Sequence, residues 1–434
     1  MLAAGIRRWA SSGARHAKVC ILGGGAGGVT FGGKIVAANH KLVDPAQVTI
    51  IDGSPLHHYK PGWTLYQGEE ISKRMIVTDM KSAIPDRMNF INQYVERIDP
   101  DNNTVILKDG TKVTYEQLIV STGIQFNWDK VKGLKDALSD QSRNVVSVYN
   151  YDSLDRMRVL RHKKFEKAIF TQPSTPITCA GAAQKVMYMT HESWASHGYK
   201  PEIKFIQGGS VLFSVPFYVE TLKRCIQEKG IINIHEHELV EVKKDDIAVF
   251  QNTKTKELVE HRFDFLHAVP PMSGQDYLKG SILADDNNYL LVDKHTLRHL
   301  KYPNIWGLGD GITVPTSKTM SAAIEQAYIL ELNLGEALRG NRPTHSYDGY
   351  TACPILVGGG KVILAEFKYD NIIAPSMRKD QREPSRLAFW MKKYIFPFAG
   401  LHLMKRGMWQ GRRMAGEPKD YSQFQKDEEA NRRP

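Results

Sequence analysis

A strand that runs into a glycine cluster decides the fold of this 434-residue chain: Lys18-Val19-Cys20-Ile21-Leu22-Gly23-Gly24-Gly25-Ala26-Gly27-Gly28. Three of its glycines match the pattern G-x-G-x-x-G. In a strand–turn–helix unit, Gly23 makes the tight turn, Gly25 lets the backbone approach a pyrophosphate, and Gly28 allows the helix to pack on the strand. The stretch predicts a Rossmann dinucleotide site in an α/β fold. A glycine-rich turn in another α/β protein is the alternative.

The residues after the glycines continue the same unit. We expect a helix from Val29 to about Asn39, whose positive N-terminus faces the phosphates. The run Gln47-Val48-Thr49-Ile50-Ile51 predicts a second strand that ends at Asp52. A carboxylate about 20 residues past the last glycine is typical of the group that binds the hydroxyls of an adenosine ribose.

Composition and charge limit the function classes. With 434 residues, of which 42% are hydrophobic, the chain can bury a large core in two or three domains. Its net charge of +11 favours anionic partners: nucleic acid, an acidic membrane surface or acidic substrates. No compact Lys/Arg block or nucleic-acid motif occurs, so we expect no nucleic acid partner. No run of about 18 apolar residues occurs, so we expect no transmembrane helix.

The N-terminal segment is basic. Arg7, Arg8 and Arg15 precede the first acidic residue, Asp44, among alanines and serines. This composition predicts a mitochondrial transit peptide over residues 1–16. A basic tail without a targeting function is the alternative.

The chain has four cysteines: Cys20, Cys179, Cys225 and Cys353. They are too few for a disulfide scaffold, and no C-x-x-C pair or His/Cys cluster has zinc spacing, so we predict no metal site. Cys20 and Cys225 lie in apolar runs typical of buried thiols. Together with a dinucleotide site, Cys179 and Cys353 suggest redox chemistry on sulfur. Two buried, unreactive thiols are the alternative.

Two later segments indicate which dinucleotide is bound. One ends in Thr122-Gly123 and the other in Gly309-Asp310. Together with the glycine cluster, they resemble the three signatures of the flavoproteins that have two dinucleotide-binding domains. The resemblance implies FAD: Thr122-Gly123 returns the chain to the FAD domain, and Asp310 binds the ribityl chain. Taken alone, Asp310 would be read as a helix N-terminal or turn residue.

The second half of such a protein normally holds a nicotinamide dinucleotide. We match that unit to Glu202–Phe213, which has a strand-like run but no G-x-G-x-x-G. Without that turn there is no backbone cradle for a pyrophosphate, so NADH is not the expected electron donor. His57 and His58, in the first half, are expected to be surface histidines. A flavin-facing role is the alternative.

Further motifs narrow the family. Distinctive stretches are Thr175–Lys185, Val269–Ser273, Pro315–Thr319, Tyr347–Pro354 and Val362–Phe367. They resemble the sulfide:quinone oxidoreductases of the mitochondrial type, over nearly the whole chain. The resemblance implies that sulfide attacks a disulfide or a bridging sulfur between Cys179 and Cys353. It also implies that electrons pass through non-covalent FAD to ubiquinone, and that glutathione or sulfite removes the sulfane sulfur.

Two lysines are candidates for stabilising negative charge at this site. Lys185 lies six residues after Cys179, on a helix expected to begin near Ala182, and could lower the pKa of that thiol. Lys318 precedes a helix near the flavin and could stabilise the reduced ring. A solvated surface charge is the alternative for either lysine.

The C-terminal region is basic and aromatic. Residues 386–414 contain no acidic residue, and Pro397 and Gly400 are expected to break them into two amphipathic pieces. This composition predicts a monotopic anchor on an anionic bilayer, from which ubiquinone could enter. A helix pair packed on the core is the alternative. The basic residues are Arg386, Lys392, Lys393, Lys405, Arg406, Arg412 and Arg413.

The predicted architecture is α/β, with two Rossmann-like domains and a C-terminal membrane-associating region. The FAD domain is expected over 17–122 and 285–345, and a degenerate NAD-type domain over 145–280. Residues 346–434 are expected to supply Cys353 and the anchor. The predicted location is the mitochondrial inner membrane, peripheral, with a homodimer possible.

Two other functions remain open at this stage. A type II NADH:quinone dehydrogenase has the same fold but needs a working second nucleotide site and has no need for the two cysteines. A flavin-binding signalling protein would use FAD as a structural element or sensor. Turnover with quinone separates the signalling protein from either enzyme.

Overall fold

The computed structural model describes residues 15–37, 43–377, 380–416, 421 and 425–426. The strands are β1 (Arg15–Leu22), β2 (Val48–Ile51), β3 (Leu56–His58), β4 (Val77–Asp79), β5 (Asn89–Ile91), β6 (Val95–Asp99), β7 (Thr104–Leu107), β8 (Lys112–Val120), β9 (Gln125–Phe126), β10 (Val145–Val146), β11 (Lys167–Gln172), β12 (Glu202–Gln207), β13 (Ile232–Ile234), β14 (His237–Val242), β15 (Ile247–Asn252), β16 (Leu258–Arg262), β17 (Phe265–His267), β18 (Met272–Ser273), β19 (Ile305–Gly307), β20 (Thr351–Gly358) and β21 (Lys361–Phe367). The α-helices are α1 (Ala26–Ala37), α2 (Trp63–Gln67), α3 (Met80–Ala83), α4 (Leu134–Ser139), α5 (Ser153–Leu160), α6 (Ala182–Ser196), α7 (Pro216–Glu228), α8 (Met320–Leu338), α9 (Arg386–Trp390) and α10 (Phe396–Phe398).

The first sheet is built around β1. Its order is β5-β2-β1-β8-β7-β6, and β19 also pairs with β8. The strands β2, β1, β8 and β19 run parallel, and residues 19–22 of β1 are fully buried. A continuous apolar run is what a strand covered on both faces requires, which explains Val19-Cys20-Ile21-Leu22. Cys20 is therefore a buried core residue, as predicted.

The second sheet repeats this plan. It is fully parallel, in the order β10-β17-β11-β12-β13, and α6 connects β11 to β12. The predicted α/β class with two Rossmann-like halves is confirmed. The match of the second nucleotide turn to Glu202–Phe213 is wrong, because β11 is the first strand of this unit and β12 the second. The position of the lost turn is residues 173–181, between β11 and α6.

The C-terminal region adds a hairpin and a long helical segment. The hairpin of β20 and β21 packs on α6. The segment Arg386–Arg406 is continuous: it passes from α9 through α10 with π turns over Met391–Ile395 and Ala399–Leu403. The predicted breaks at Pro397 and Gly400 are therefore wrong. A π turn widens the helix, which leaves room for the Pro397 ring where an ordinary turn would clash.

Some predictions fall outside these elements. Most of the predicted transit peptide, residues 1–14, lies outside the described residues. Arg15 and His16 already belong to β1, so this strand begins three residues before the predicted Lys18. The first sheet draws on residues 15–120 and 305–307. The domain boundaries themselves stay predictions.

Candidate active site

The glycine turn after β1 leaves space where a pyrophosphate would lie. Gly23 has a φ of +98°, and a Cβ there would lie 2.4 Å from the carbonyl oxygen of Ser121. A Cβ on Gly28 would lie 1.9 Å from the carbonyl oxygen of Gly23, whereas one on Gly25 would meet no atom within 4 Å. Two glycines are thus required by packing, and the third faces open space at the N-terminus of α1.

Asp52 lies at the end of β2, beside this turn. Its carboxylate accepts hydrogen bonds from the backbone N–H of Gly24 at 2.7 Å and of Ser54 at 2.8 Å. The side chain therefore stabilises the glycine turn itself, in addition to any contact with a ribose. No feature of the sequence indicates this second role.

The three flavoprotein signatures come together at the edge of the first sheet. Thr122 Oγ1 forms a hydrogen bond with the hydroxyl of Tyr277 at 3.0 Å. A Cβ on Gly311 would lie 2.6 Å from the carbonyl oxygen of Gly123, so the segment with Asp310 packs directly on the segment with Thr122. Signatures that are far apart in sequence thus enclose one site.

Two lysines, Lys318 and Lys60, lie near the carboxylates of Asp310 and Asp52. Lys318 Nζ donates to the carbonyl oxygen of Asp310 at 2.6 Å and lies 4.2 Å from the ring centre of Tyr289. Burial lowers the pKa of Lys318 to about 8. Burial also lowers the pKa of Lys60, against the opposing effect of Asp310 and Asp52. Lys60 was not among the residues predicted for the site, although Lys60 lies only eight positions after Asp52 in the chain.

These groups fit a dinucleotide. An open backbone turn at a helix N-terminus suits a pyrophosphate, and a partly exposed carboxylate at the end of the second strand suits a ribose. Within the described residues, no cluster of His, Cys, Asp and Glu could hold a metal ion.

The two histidines of this region are not surface residues. His57 is 5% exposed, and its Nδ1 forms a hydrogen bond with the carbonyl oxygen of Gly24 at 2.9 Å. His58 packs against Trp63 and Tyr151. Burial lowers the pKa of both, that of His58 to about 4, so both are neutral at pH 7. The expectation of a surface histidine is wrong for His57, which β3 places in the core, whereas His58 is half-buried.

Cys179 occupies the turn where the second nucleotide would be held. Its φ of +57° lies in the left-handed region, which costs a residue with a side chain about 1–2 kcal/mol. Two backbone hydrogen bonds fix this conformation: Cys179 N donates to Lys318 O at 2.6 Å, and Cys179 O accepts from Ala182 N at 2.8 Å. The first of these joins the cysteine turn to the FAD half.

Cys353 lies opposite, on β20, and is fully buried. Its Sγ is 3.5 Å from the Sγ of Cys179, although 174 positions separate the two residues. The packing of β20 on α6 creates this proximity. A Cβ on Gly181 would lie 3.0 Å from Cys353 Sγ, so only glycine fits there without displacing the sulfur.

Lys185 reaches the cysteine pair from the first turn of α6. It is 2% exposed, and its Nζ donates to Cys179 Sγ at 2.9 Å. The hydrogen bond from Cys353 and the charge of Lys185 outweigh burial and hold the pKa of the Cys179 thiol well below its ordinary value. Burial alone would lower the pKa of Lys185, but the charge on Cys179 raises it. The surface-charge alternative does not apply.

Lys392 is a second buried amine at this site. It is 4% exposed, and its charge interacts with Lys185, Cys179 and Cys353. Burial, followed by repulsion from Lys185, lowers the pKa of Lys392 to about 7. The prediction that Lys392 is a membrane-facing cation is therefore wrong, because Lys392 lies on the side of the segment Arg386–Arg406 that faces the protein core.

The outer side of this segment is an exposed apolar stripe. Successive members are three or four residues apart, which places them on one helical face. We name this set the apolar stripe: Leu387, Trp390, Tyr394 and Phe398, with exposed fractions of 58%, 51%, 49% and 57%.

Several basic residues of the C-terminal region contact protein rather than solvent. Lys393 Nζ donates to Glu70 at 2.8 Å, and Arg412 binds Asp348 at 2.9 Å. The C-terminal region therefore exposes fewer unpaired cations than its composition predicts. In the part of the chain that is described, none of the helices is both long and apolar enough to cross a bilayer.

The chain matches known proteins over most of its length. The family described as "Pyridine nucleotide-disulphide oxidoreductase" matches residues 17–327. The mitochondrial sulfide:quinone oxidoreductase of Dictyostelium discoideum is 37% identical over 407 residues, which cover 92% of this chain and 88% of the relative. The chain belongs to the sulfide:quinone oxidoreductase family. The mitochondrial sulfide:quinone oxidoreductase of Mus musculus is 35% identical over 401 residues, covering 91% of this chain and 88% of the relative.

Solved structures show the same fold. The sulfide:quinone oxidoreductase of Aquifex aeolicus has a TM-score of 0.74 at 19% identity, covering 91% of this chain and 92% of that one. An NDH2 from Plasmodium falciparum, solved with NADH, has a TM-score of 0.64 at 15% identity, covering 92% and 99%. Members of the sulfide:quinone oxidoreductase family are FAD-dependent oxidoreductases, which confirms the predicted cofactor and enzyme class.

Proposed function

We propose that this protein oxidises hydrogen sulfide and reduces ubiquinone through FAD, while a small acceptor such as glutathione or sulfite removes the sulfane sulfur. One observation carries the proposal: the turn that would otherwise hold NADH contains Cys179, whose sulfur lies 3.5 Å from that of Cys353 on β20 and accepts a hydrogen bond from a buried lysine. Redox chemistry on sulfur needs this pair, whereas hydride transfer from a nicotinamide does not.

FAD would be held without a covalent bond at the first turn. When bound, it supplies a two-electron acceptor that passes electrons on to a quinone. The open space over Gly25 and the carboxylates beside it support this assignment. The residues that we assign to its binding are Gly23, Gly25, Gly28, Asp52, Thr122, Gly123, Asp310 and Lys318.

The chemistry at the cysteines starts from their linked form. In the disulfide form, hydrosulfide attacks the sulfur of Cys353, which forms a persulfide there, and Cys179 leaves as a thiolate. With one bridging sulfur, the same attack releases Cys179 as a persulfide. The lower pKa of Cys179 supports this direction, because the thiol with the lower pKa is the better leaving group. Lys185 balances the charge that develops on Cys179.

The cycle closes at the same two residues. The acceptor takes the sulfane sulfur and leaves Cys353 as a thiol. The thiolate of Cys179 and the thiol of Cys353 then lose two electrons and one proton and are linked again; the bound flavin would accept the electrons. The second proton of the quinol is the one that hydrogen sulfide releases when it forms hydrosulfide. With sulfite as the acceptor, hydrogen sulfide, sulfite and quinone give thiosulfate and quinol, which balances atoms and charge.

Either form of the link is compatible with the distance between the sulfurs. A disulfide needs an approach of about 1.5 Å from the present 3.5 Å, since an S–S bond is about 2.05 Å long. Two such bonds through one bridging sulfur span about 3.3 Å at a near-tetrahedral angle, which needs almost no movement. Both remain part of the proposal.

Quinone access supports a membrane-bound location. Ubiquinone is lipid-soluble, and the apolar stripe exposes two aromatic residues with a polar atom, Trp390 and Tyr394, of the kind enriched at bilayer interfaces. We infer a peripheral, monotopic association with an anionic bilayer and place it on the mitochondrial inner membrane. The mitochondrial names of the relatives support this compartment.

An anaerobic titration of the purified protein tests the proposal. Absorbance of the bound flavin is followed during additions of sulfide and, in a separate cuvette, of NADH. Bleaching by sulfide and not by NADH is the expected result. Bleaching by NADH alone would overturn the proposal in favour of a type II NADH:quinone dehydrogenase. No bleaching by either would favour a structural role for the flavin.

A further inference from the structure

A cavity of about 350 Å³ lies beside the C-terminal part of the segment Arg386–Arg406. Its walls come from the start of α1, from β3, from the residues between Arg74 and Ala83, and from residues 400–405. It is distinct from the cysteine pair, since neither cysteine lines it. No step of the proposed reaction uses it.

Two cationic side chains line the cavity. They belong to Arg74 and Lys405, and no Asp or Glu is among the lining residues. Arg74 is exposed and, among the described residues, has no ion-pair partner. Lys405 Nζ donates to the carbonyl oxygen of Ser82 at 2.8 Å, which holds the amine at the wall and leaves two protons for a ligand. This arrangement suits a phosphate.

One side of the cavity adjoins apolar residues. The ring of His402 lies 5.2 Å from that of Phe398, the last residue of the apolar stripe, and Leu401 lines the cavity. A cationic cavity that adjoins an exposed aromatic stripe matches a molecule with an anionic head and apolar chains. A free phosphate would need only the cations. The hydroxyls of Thr78 and Ser82, which form a hydrogen bond with each other at 2.9 Å, also line the cavity.

We propose that this cavity binds the phosphate headgroup of an anionic phospholipid, whose acyl chains leave beside Phe398 and Leu401. The inference rests on the membrane association in the proposed function and deepens it. A defined headgroup site would orient the protein on the bilayer, in addition to the diffuse attraction of its net charge.

Two charge-matched double variants of the FAD-loaded, full-length protein test the site. Arg74→Gln with Lys405→Gln removes two cations of the cavity. Lys81→Gln with Arg406→Gln removes two exposed cations from the same two segments, outside the cavity. Binding is measured by flotation with phosphatidylcholine vesicles that contain or lack phosphatidylglycerol, and flavin absorbance verifies that each variant is folded.

We expect the cavity pair to lose at least about fivefold more affinity for the anionic vesicles than the control pair, where diffuse attraction alone predicts equal losses. Equal losses would overturn the proposal. If inorganic phosphate binds the wild type and not the cavity pair, while vesicle binding of the two pairs is equal, the site is one for free phosphate. Failure of the wild type to bind any vesicle would remove the underlying membrane association. Bleaching by sulfide on the same samples reports separately on the proposed reaction.

Discussion

The ammonium of Lys185 donates to Cys179 and makes the two sulfurs of the pair unequal. Its Nζ lies 2.9 Å from Cys179 Sγ, and the Sγ of Cys353 lies 3.5 Å from the same sulfur. Negative charge is therefore favoured on Cys179. The thiolate on Cys179 and burial together raise the pKa of Cys353. In the proposed mechanism, this asymmetry makes Cys179 the leaving group and Cys353 the residue that carries the persulfide.

Replacing Lys185 with Met keeps an unbranched side chain that is one heavy atom shorter, and removes the charge. We expect the pKa of Cys179 to rise, because the cation that stabilises its thiolate is removed. Flavin bleaching by sulfide at pH 7 should slow roughly tenfold and recover as the pH is raised. Iodoacetamide labelling of the reduced protein against pH measures the thiol directly. Lys163→Met, at an exposed position, is the control. Identical labelling curves for Lys185→Met and the wild type would contradict the assignment.

Either Cys179→Ser or Cys353→Ser should retain flavin and lose sulfide-dependent quinone reduction. A serine hydroxyl cannot form the sulfur link, so we expect turnover to fall by at least about 10³-fold. Cys225→Ser provides the matched control, because Cys225 is 5% exposed on α7 and takes no part in the proposed cycle. Wild-type turnover in both site variants would remove the cysteine mechanism.

Gly181 sets the separation of the two sulfurs. A Cβ there would lie 3.0 Å from Cys353 Sγ and 3.1 Å from a side-chain carbon of Ile355. We expect Gly181→Ala to displace Cys353 and to slow bleaching by sulfide roughly tenfold, with flavin content unchanged. Gly209→Ala is the control, since a Cβ there meets only one atom, at 4.0 Å. If the rates of both variants equal that of the wild type, the separation is not what limits the exchange.

The first half of the fold could be predicted because its determinants are local. The strand, the glycines and the helix follow one another in sequence, and Asp52 ends the next strand, so a single pattern contains the unit. The second turn could not be found this way. Residues 173–181 contain no G-x-G-x-x-G pattern. The pair Gly208-Gly209 after β12 led instead to the incorrect match with Glu202–Phe213. Only the parallel pairing of β11 with β12 and β17 identifies residues 173–181 as the turn.

The proximity of the cysteines could not be predicted from the residues themselves. A separation of 174 positions in sequence does not determine the distance between two residues in space. The pair was predicted because the surrounding motifs resemble those of a known family. Lys392 was missed for a related reason. Composition identified the segment Arg386–Arg406 as basic and aromatic, but which side of the helix faces the core depends on its continuous path through Pro397.

Lys392→Met should change the dependence of stability on pH. The pKa of this lysine falls from 10.5 in an unfolded chain to about 7 in the folded protein. Between these values the unfolded state binds more protons, so the free energy of unfolding of the wild type rises with pH from about 7 to about 10.5. Below pH 7 both states are charged, and the full cost of burying the cation remains. We therefore expect the variant to be more stable than the wild type at pH 6, by an amount on the order of 5 kcal/mol, with the difference shrinking toward pH 10.

Urea unfolding of the FAD-loaded protein at a series of pH values measures this difference. The adjacent Lys393→Met is the matched control, because the hydrogen bond from Lys393 to Glu70 raises the pKa of that amine. The stability that this contact contributes is present at neutral pH and is lost only as the pH rises through the folded pKa, so the control should be slightly less stable than the wild type at pH 6. A Lys392→Met protein that is destabilised at pH 6 to the same extent as Lys393→Met would show that the amine of Lys392 is not buried beside Lys185.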